Sequence, residues 1–94
     1  MRFILKVEDV FDLTGRGLTL APAIPDNLGF AVRLKDRIQL RSPNGRRLDT
    51  HIASFALGKP IGGGPTIAAI ELPSDIRRDD VPIGTEVWYL PPNE

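Results

Sequence analysis

The chain has 94 residues, which is enough for one domain and too few for two that each bury a core. Hydrophobic residues make up 41% and charged residues 26%, a composition that excludes a disordered or fibrous chain. The 12 basic and 12 acidic residues cancel, so an anionic partner would need a local patch of charge. We therefore predict a single domain over residues 1–94.

Several classes of protein are excluded by what the sequence lacks. There is no cysteine and only one histidine, so neither a disulfide scaffold nor a zinc site is expected. The apolar N-terminal stretch is interrupted by Lys6 and Glu8, so we expect no membrane span or signal segment and a cytoplasmic location. Gly58-Lys59 precedes the glycines at 62–64 instead of closing a phosphate loop, which excludes GTP hydrolysis. We predict no enzyme activity and no cofactor, because no nucleophile and base stand out.

Nine glycines and nine prolines punctuate the chain and favour short strands over helices. In the first strand Val10 is apolar at a position where the alternation of apolar and polar residues requires a polar one. This change predicts a bulge near Glu8-Asp9. Pro22 in the second strand indicates a sheet edge or a bulge. A helical turn is expected at 74–81, capped by Ser74 or Asp75. The six predicted strands cover 2–11, 18–23, 36–42, 46–57, 66–72 and 86–90.

The third and fourth strands form a predicted hairpin whose register the sequence defines. If Leu40 and Leu48 share the buried face, the loop is Pro43-Asn44-Gly45, and these residues suit a type I turn followed by a left-handed glycine. Further along the strand, Phe55 and Leu57 are out of phase with the inward-facing Ile52. This change in the alternation predicts a bend before Phe55 and Leu57. The side chains predicted to face inward are Ile38, Leu40, Leu48, Thr50 and Ile52.

The outer face of this hairpin carries the candidate binding residues. The register opposes Arg37 to His51, Gln39 to Asp49, and Arg41 to Arg47. Two opposed arginines repel, so they indicate either an anionic partner or a solvated surface that Asp49 neutralises locally. The candidate partner-binding residues are Arg37, Arg41, Arg47 and His51, although His51 alone is typical of a plain surface residue.

Two further segments leave alternatives open. Residues 58–65 contain four glycines and two prolines and are either a spacer or a docking loop. Trp88 and Tyr89 alternate faces in the last strand, so at most one is fully in the core. The other is either an interface anchor or a half-buried neighbour of another side chain.

The order of several short motifs resembles the second domain of elongation factor Tu and related translational GTPases. Glu8-Asp9-Val10-Phe11 followed by Gly15-Arg16-Gly17 matches the E-D-V-F…G-R-G opening of that domain. Residues 36–40, 50–55 and 76–87 are similar to its G-D-x-V-x-I, T-G-V-E-M-F and I-x-R-x-D-I-x-x-G-x-V segments. The resemblance spans nearly the whole chain and implies an all-β, closed six-stranded antiparallel Greek-key barrel.

The resemblance also implies a site. In elongation factor Tu this barrel holds the aminoacyl-adenosine end of charged tRNA, in a pocket to which the positions of Leu13, Gly15 and Thr19 contribute. Ala53 replaces the acidic residue of that pocket, and residues 21–24 replace its T-G-R-V stretch. We therefore expect a noncatalytic protein-interaction module, because the family domain packs against neighbouring domains. The alternative is a small RNA-binding or tRNA-end-binding barrel that uses Arg37, Arg41, Arg46 and Arg47 on phosphates.

Overall fold

The computed structural model describes residues 1–12, 17–59, 61–64 and 66–92. Within these ranges the chain forms short β-strands, one turn of 3-10 helix at Arg78–Asp80 and no α-helix, so the all-β prediction is confirmed. No helix in this part of the chain is long and apolar enough to cross a membrane. The strands are β1 (Arg2–Lys6), β2 (Asp9–Asp12), β3 (Leu18–Ala21), β4 (Arg37–Arg41), β5 (Arg47–His51), β6 (Ser54–Gly58), β7 (Ile67–Glu71) and β8 (Glu86–Tyr89).

The strands form two four-stranded antiparallel sheets. The first sheet has the order β1-β8-β4-β5 and the second β2-β3-β7-β6. The predicted single barrel of six strands is corrected by this arrangement of eight strands in two sheets. Two predicted strands, 2–11 and 46–57, are each divided by a bend and contribute one half to each sheet.

The first bend lies at Val7 and Glu8, close to the predicted bulge. The amide of Val7 donates to the carbonyl of Thr85 at 2.7 Å, and that of Glu8 donates to Ala21 at 2.8 Å. Val7 therefore bonds just before β8 of the first sheet and Glu8 bonds to β3 of the second, which explains why one ladder cannot continue through them.

The second bend lies at Ile52 and Ala53, before the out-of-phase residues of the fourth predicted strand. The amide of Ile52 donates to Asp36 at 3.0 Å, whereas that of Ala53 donates to Glu71 at 3.0 Å. The predicted bend is confirmed, and it explains the additional strand boundary in this region.

Side chains from both sheets form one apolar core. Three of the five residues predicted to face inward, Ile38, Leu40 and Ile52, are fully buried, while Leu48 and Thr50 are half-buried on edge strand β5. The buried core comprises Ile4, Leu5, Val7, Val10, Leu18, Leu20, Ile38, Leu40, Ile52, Ile70, Leu72, Ile76, Val81 and Val87.

The hairpin of β4 and β5 has the predicted register. Leu40 is opposite Leu48 and Arg41 is opposite Arg47, so the two-residue turn is excluded. The amide of Gly45 donates to the carbonyl of Ser42 at 2.9 Å, and Gly45 has φ 90°, the left-handed conformation that the turn requires. Local hydrophobic phase and turn chemistry were sufficient to define this element.

Other boundaries differ from the predictions. Strand β3 ends at Ala21 because Pro22 has no amide hydrogen to continue a ladder. The helical turn is capped at Arg77 and not at Ser74 or Asp75, because the carboxylate of Asp80 accepts from the Arg77 amide at 3.0 Å. In the predicted loop at 58–65, strand β6 includes residue 58, and residues 60 and 65 lie outside the described ranges.

Candidate functional site

The four predicted partner-binding residues lie together on the outer face of the β4–β5 hairpin. Arg37 is opposite His51, Gln39 is opposite Asp49, and Arg41 is opposite Arg47. This arginine face comprises Arg37, Gln39, Arg41, Arg47, Asp49 and His51.

Arg41 is the most constrained residue of the arginine face. Its guanidinium lies 4.5 Å from the ring centroid of Trp88, in cation–π geometry. Its Nε donates to Gln39 Oε1 at 2.8 Å, and its Nη2 lies 2.8 Å from the sulfur of Met1. These contacts hold a half-buried arginine in one orientation at the surface.

Trp88 connects the arginine face to an apolar surface on β1. Its indole Nε1 donates to Glu86 Oε1 at 3.0 Å, and its ring meets Phe3 edge to face at 5.5 Å between centroids. Phe3 and Met1 are 44% and 45% exposed. We call Met1, Phe3 and Trp88 the aromatic patch, which is contiguous with Arg41.

The charges of the arginine face are partly compensated within it. Asp49 Oδ1 accepts from Gln39 Nε2 at 2.9 Å, and Asp49 Oδ2 lies 4.0 Å from Arg37 Nη2. Both side chains of this ion pair are more than half exposed, so solvent weakens the interaction. Within the described ranges, the side chains of Arg47 and His51 form no hydrogen bond or ion pair.

A cleft of about 330 Å³ adjoins the arginine face. Lys6 and Arg41 bring two positive charges to it and Glu86 brings one negative charge. Because Glu86 accepts a hydrogen bond from Trp88, part of its capacity as an acceptor is already used. The remaining lining residues are Ser42, Pro43 and Gly84.

The sequence did not identify the aromatic patch as part of this surface. It showed that Trp88 and Tyr89 face opposite ways but not which faces outward. In the structure Tyr89 packs against Phe30 beside the core, with ring centroids 5.5 Å apart, and Trp88 lies on the outer face. The long-range pairing of β8 with β4 brings Trp88 and Arg41 together, and no local pattern encodes that pairing.

The pocket implied by the family resemblance is only partly described. Leu13 and Gly15 lie outside the described residues. Thr19 is buried, and its hydroxyl donates to Glu71 Oε2 at 3.3 Å. Beside Glu71 lies a second cleft, of about 350 Å³, lined by Gly17, Ala53, Ser54, Glu71, Leu72, Pro73 and Ser74.

In the part of the chain that the structure describes, no group of three or more histidine, aspartate or glutamate side chains could hold a metal ion. Comparison of the chain with protein-family models, with curated proteins and with solved structures finds no match.

Proposed function

We propose that the chain is a noncatalytic, cytoplasmic protein-interaction module that binds an acidic partner through its arginine face and aromatic patch. The observation that carries the proposal is the stacking of Arg41 on Trp88 beside exposed Phe3 and Met1. Tryptophan, arginine, methionine and phenylalanine are enriched at protein interfaces, and buried Trp and Arg supply much of their binding energy. Because Arg41 is already ordered by Gln39, it would lose little conformational freedom on binding.

The charges favour a partner that offers carboxylates. Arg41 and Arg47 are directly opposed, and each carboxylate placed between them would relieve their repulsion. Lys6 and Arg41 line the neighbouring cleft, which would accommodate one acidic side chain. An apolar residue of the same partner would cover Phe3.

RNA is the less favoured alternative. Asp49 lies between the arginines and would repel a phosphate backbone placed along them, whereas a protein can offer it a hydrogen-bond donor. Arg46, which the RNA hypothesis also needs, pairs with Asp80 at 3.2 Å. Both observations favour separated carboxylates over a continuous polyanion.

We also propose that the chain is a relative of the second domain of elongation factor Tu. The support is its motif order together with the two bends, since residues 2–12 and 47–58 each contribute to both sheets. Under this proposal each bent segment corresponds to one long strand of the family barrel.

The function is tested by selecting ligands from a random peptide library displayed on phage, using the whole chain as bait. We expect enriched peptides in which aspartates or glutamates flank an apolar residue. An Arg41→Glu, Arg47→Glu double variant should no longer bind these peptides. The matched control is Arg33→Glu, Arg78→Glu, because both arginines are exposed, lie outside the arginine face and give the same change in charge.

Recovery of the same peptides on both double variants would refute the arginine face as the binding site. Failure to enrich any acidic sequence on the wild type would refute the proposed partner chemistry.

A further inference from the structure

A carboxylate is buried away from the arginine face, in the cleft beside Thr19. Glu71 is only 5% exposed, although it lies on a strand of the second sheet and lines a cleft of about 350 Å³. An isolated charge in such a position is costly unless something pairs with it.

Few groups of the protein compensate the negative charge of the Glu71 carboxylate. In the described ranges Thr19 Oγ1 is its one side-chain hydrogen-bond donor, at 3.3 Å to Oε2, and it forms no ion pair. No fully enclosed side-chain nitrogen or oxygen atom in that part of the chain lacks a hydrogen-bond partner. Oε1 accepts no hydrogen bond there, so it must reach solvent through the cleft.

The cleft is kept open by small residues held in fixed backbone. A Cβ on Gly17 would overlap the carbonyl oxygen of Leu72, so the two chain segments are already in close contact. The amide of Leu72 donates to Leu18 at 2.8 Å and that of Ala53 donates to the Glu71 carbonyl at 3.0 Å. The walls are therefore set by backbone hydrogen bonds and are not free to collapse onto the carboxylate.

The structure assigns this cleft to a primary alkylammonium group, bound by Glu71. An ammonium has three donors, and the residues that line the cleft include Glu71, whose Oε1 accepts no hydrogen bond in the described ranges, and two residues with acceptor hydroxyls, Ser54 and Ser74. Half-buried Pro73, which also lines the cleft, supplies an apolar surface for the alkyl chain. The ammonium belongs either to a lysine side chain of a partner or to a free amine. The site is separate from the proposed acidic-partner surface and does not depend on it.

The test is an NMR titration of the ¹⁵N-labelled whole chain with n-butylammonium, with uncharged n-butanol as the matched ligand. We expect saturable amide shifts at Ala53, Ser54 and Glu71 with the amine alone, in the millimolar range. Glu71→Gln should weaken binding at least about tenfold, because a charge-assisted hydrogen bond is lost. Asp26→Asn, which removes an exposed carboxylate that lines neither cleft, should leave the affinity unchanged.

Equal shifts with butanol, retained affinity in Glu71→Gln or no saturable shift with the amine would overturn the assignment. The comparison of the two ligands uses the wild type, so it decides the matter even if the Glu71 variant does not fold. Further titrations with Nα-acetyl-lysine amide and with a linear diamine distinguish the sources. Tighter binding of the lysine derivative supports a partner's side chain, and tighter binding of the diamine supports a free amine.

Discussion

At the scale of single residues, Gly17 occupies a position where the chain has no room for a side chain. A Cβ at this position would overlap the carbonyl oxygen of Leu72, whose amide bonds to Leu18. We expect Gly17→Ala to lower the free energy of unfolding by about 2 kcal/mol or more, because backbone must shift and a hydrogen bond is strained. The measurement is urea denaturation followed by the fluorescence of Trp88, the one tryptophan of the chain.

Gly58→Ala is the matched control for that substitution. Its Cβ would meet Ile67 Cγ1 at 3.8 Å, an ordinary contact, and the backbone of strand β6 tolerates alanine. Its stability should stay within about 0.5 kcal/mol of the wild type. Equal losses of stability in the two variants would show that the close approach of Leu72 is not the reason why position 17 requires a glycine.

Leu40 in the hairpin and Leu57 in β6 should differ sharply in their contribution to the free energy of unfolding. Leu40 is fully buried, so Leu40→Ala leaves a cavity and should cost about 2 to 5 kcal/mol. Leu57 is 72% exposed, and Leu57→Ala should change stability by less than about 0.5 kcal/mol. Comparable denaturation midpoints for the two variants would contradict the position of the core.

At the scale of elements, the β4–β5 turn depends on the backbone conformation of Gly45. A Cβ there meets nothing within 4 Å, so the cost of Gly45→Ala comes from its φ of 90° and should be about 1 kcal/mol. Gly45→Asn should recover part of that loss, since asparagine tolerates left-handed backbone better than alanine. The measurement is thermal denaturation of both variants. Equal stability of Gly45→Ala and the wild type would contradict the left-handed conformation assigned to Gly45.

Adjacent arginines of the same hairpin should respond oppositely to charge reversal. Arg47→Glu places a carboxylate opposite Arg41 and should stabilise the chain by about 0.5 kcal/mol at low salt, an effect that salt weakens. Arg46→Glu replaces an ion pair with repulsion from Asp80 and should destabilise it by a similar amount, about 0.5 kcal/mol. The measurement is urea denaturation at low salt. Destabilisation by both substitutions would contradict the prediction, because it would mean that other groups already neutralise the charge of Arg41.

The parts of the hairpin that could be predicted are those encoded locally. Leu40, Leu48 and the three loop residues lie close together in sequence, so hydrophobic phase and turn chemistry act on one short segment. The partners of Trp88 could not be predicted in the same way. Its neighbours Phe3, Gln39 and Arg41 come from strands far away in sequence, and many pairings satisfy the same alternation.

At the scale of the whole molecule, the sequence predicted the strand-rich class, a bulge near Glu8-Asp9 and a bend before Phe55, but not that the chain passes from one sheet to the other there. The phase shift at Val10 and the one after Ile52 showed where the alternation fails. Only the bonds at Val7 and Glu8, and at Ile52 and Ala53, show that successive residues pair with different sheets. The same limit applies to the buried Glu71, which alternation alone would have placed on an ordinary outer face.

The outer face of the first sheet is proposed to bind acidic protein and not RNA. The most direct test of this claim is a titration of the whole chain, followed by Trp88 fluorescence, with the display-selected peptide, a single-stranded RNA and charged tRNA at physiological salt. We predict that the peptide binds the wild type and the Arg33→Glu, Arg78→Glu control but not the Arg41→Glu, Arg47→Glu variant. Neither RNA should bind with sub-micromolar affinity. Sub-micromolar RNA binding that is lost in the Arg41, Arg47 variant, and whose log affinity falls with log salt at a slope of about −0.7 per phosphate neutralised, would contradict the claim.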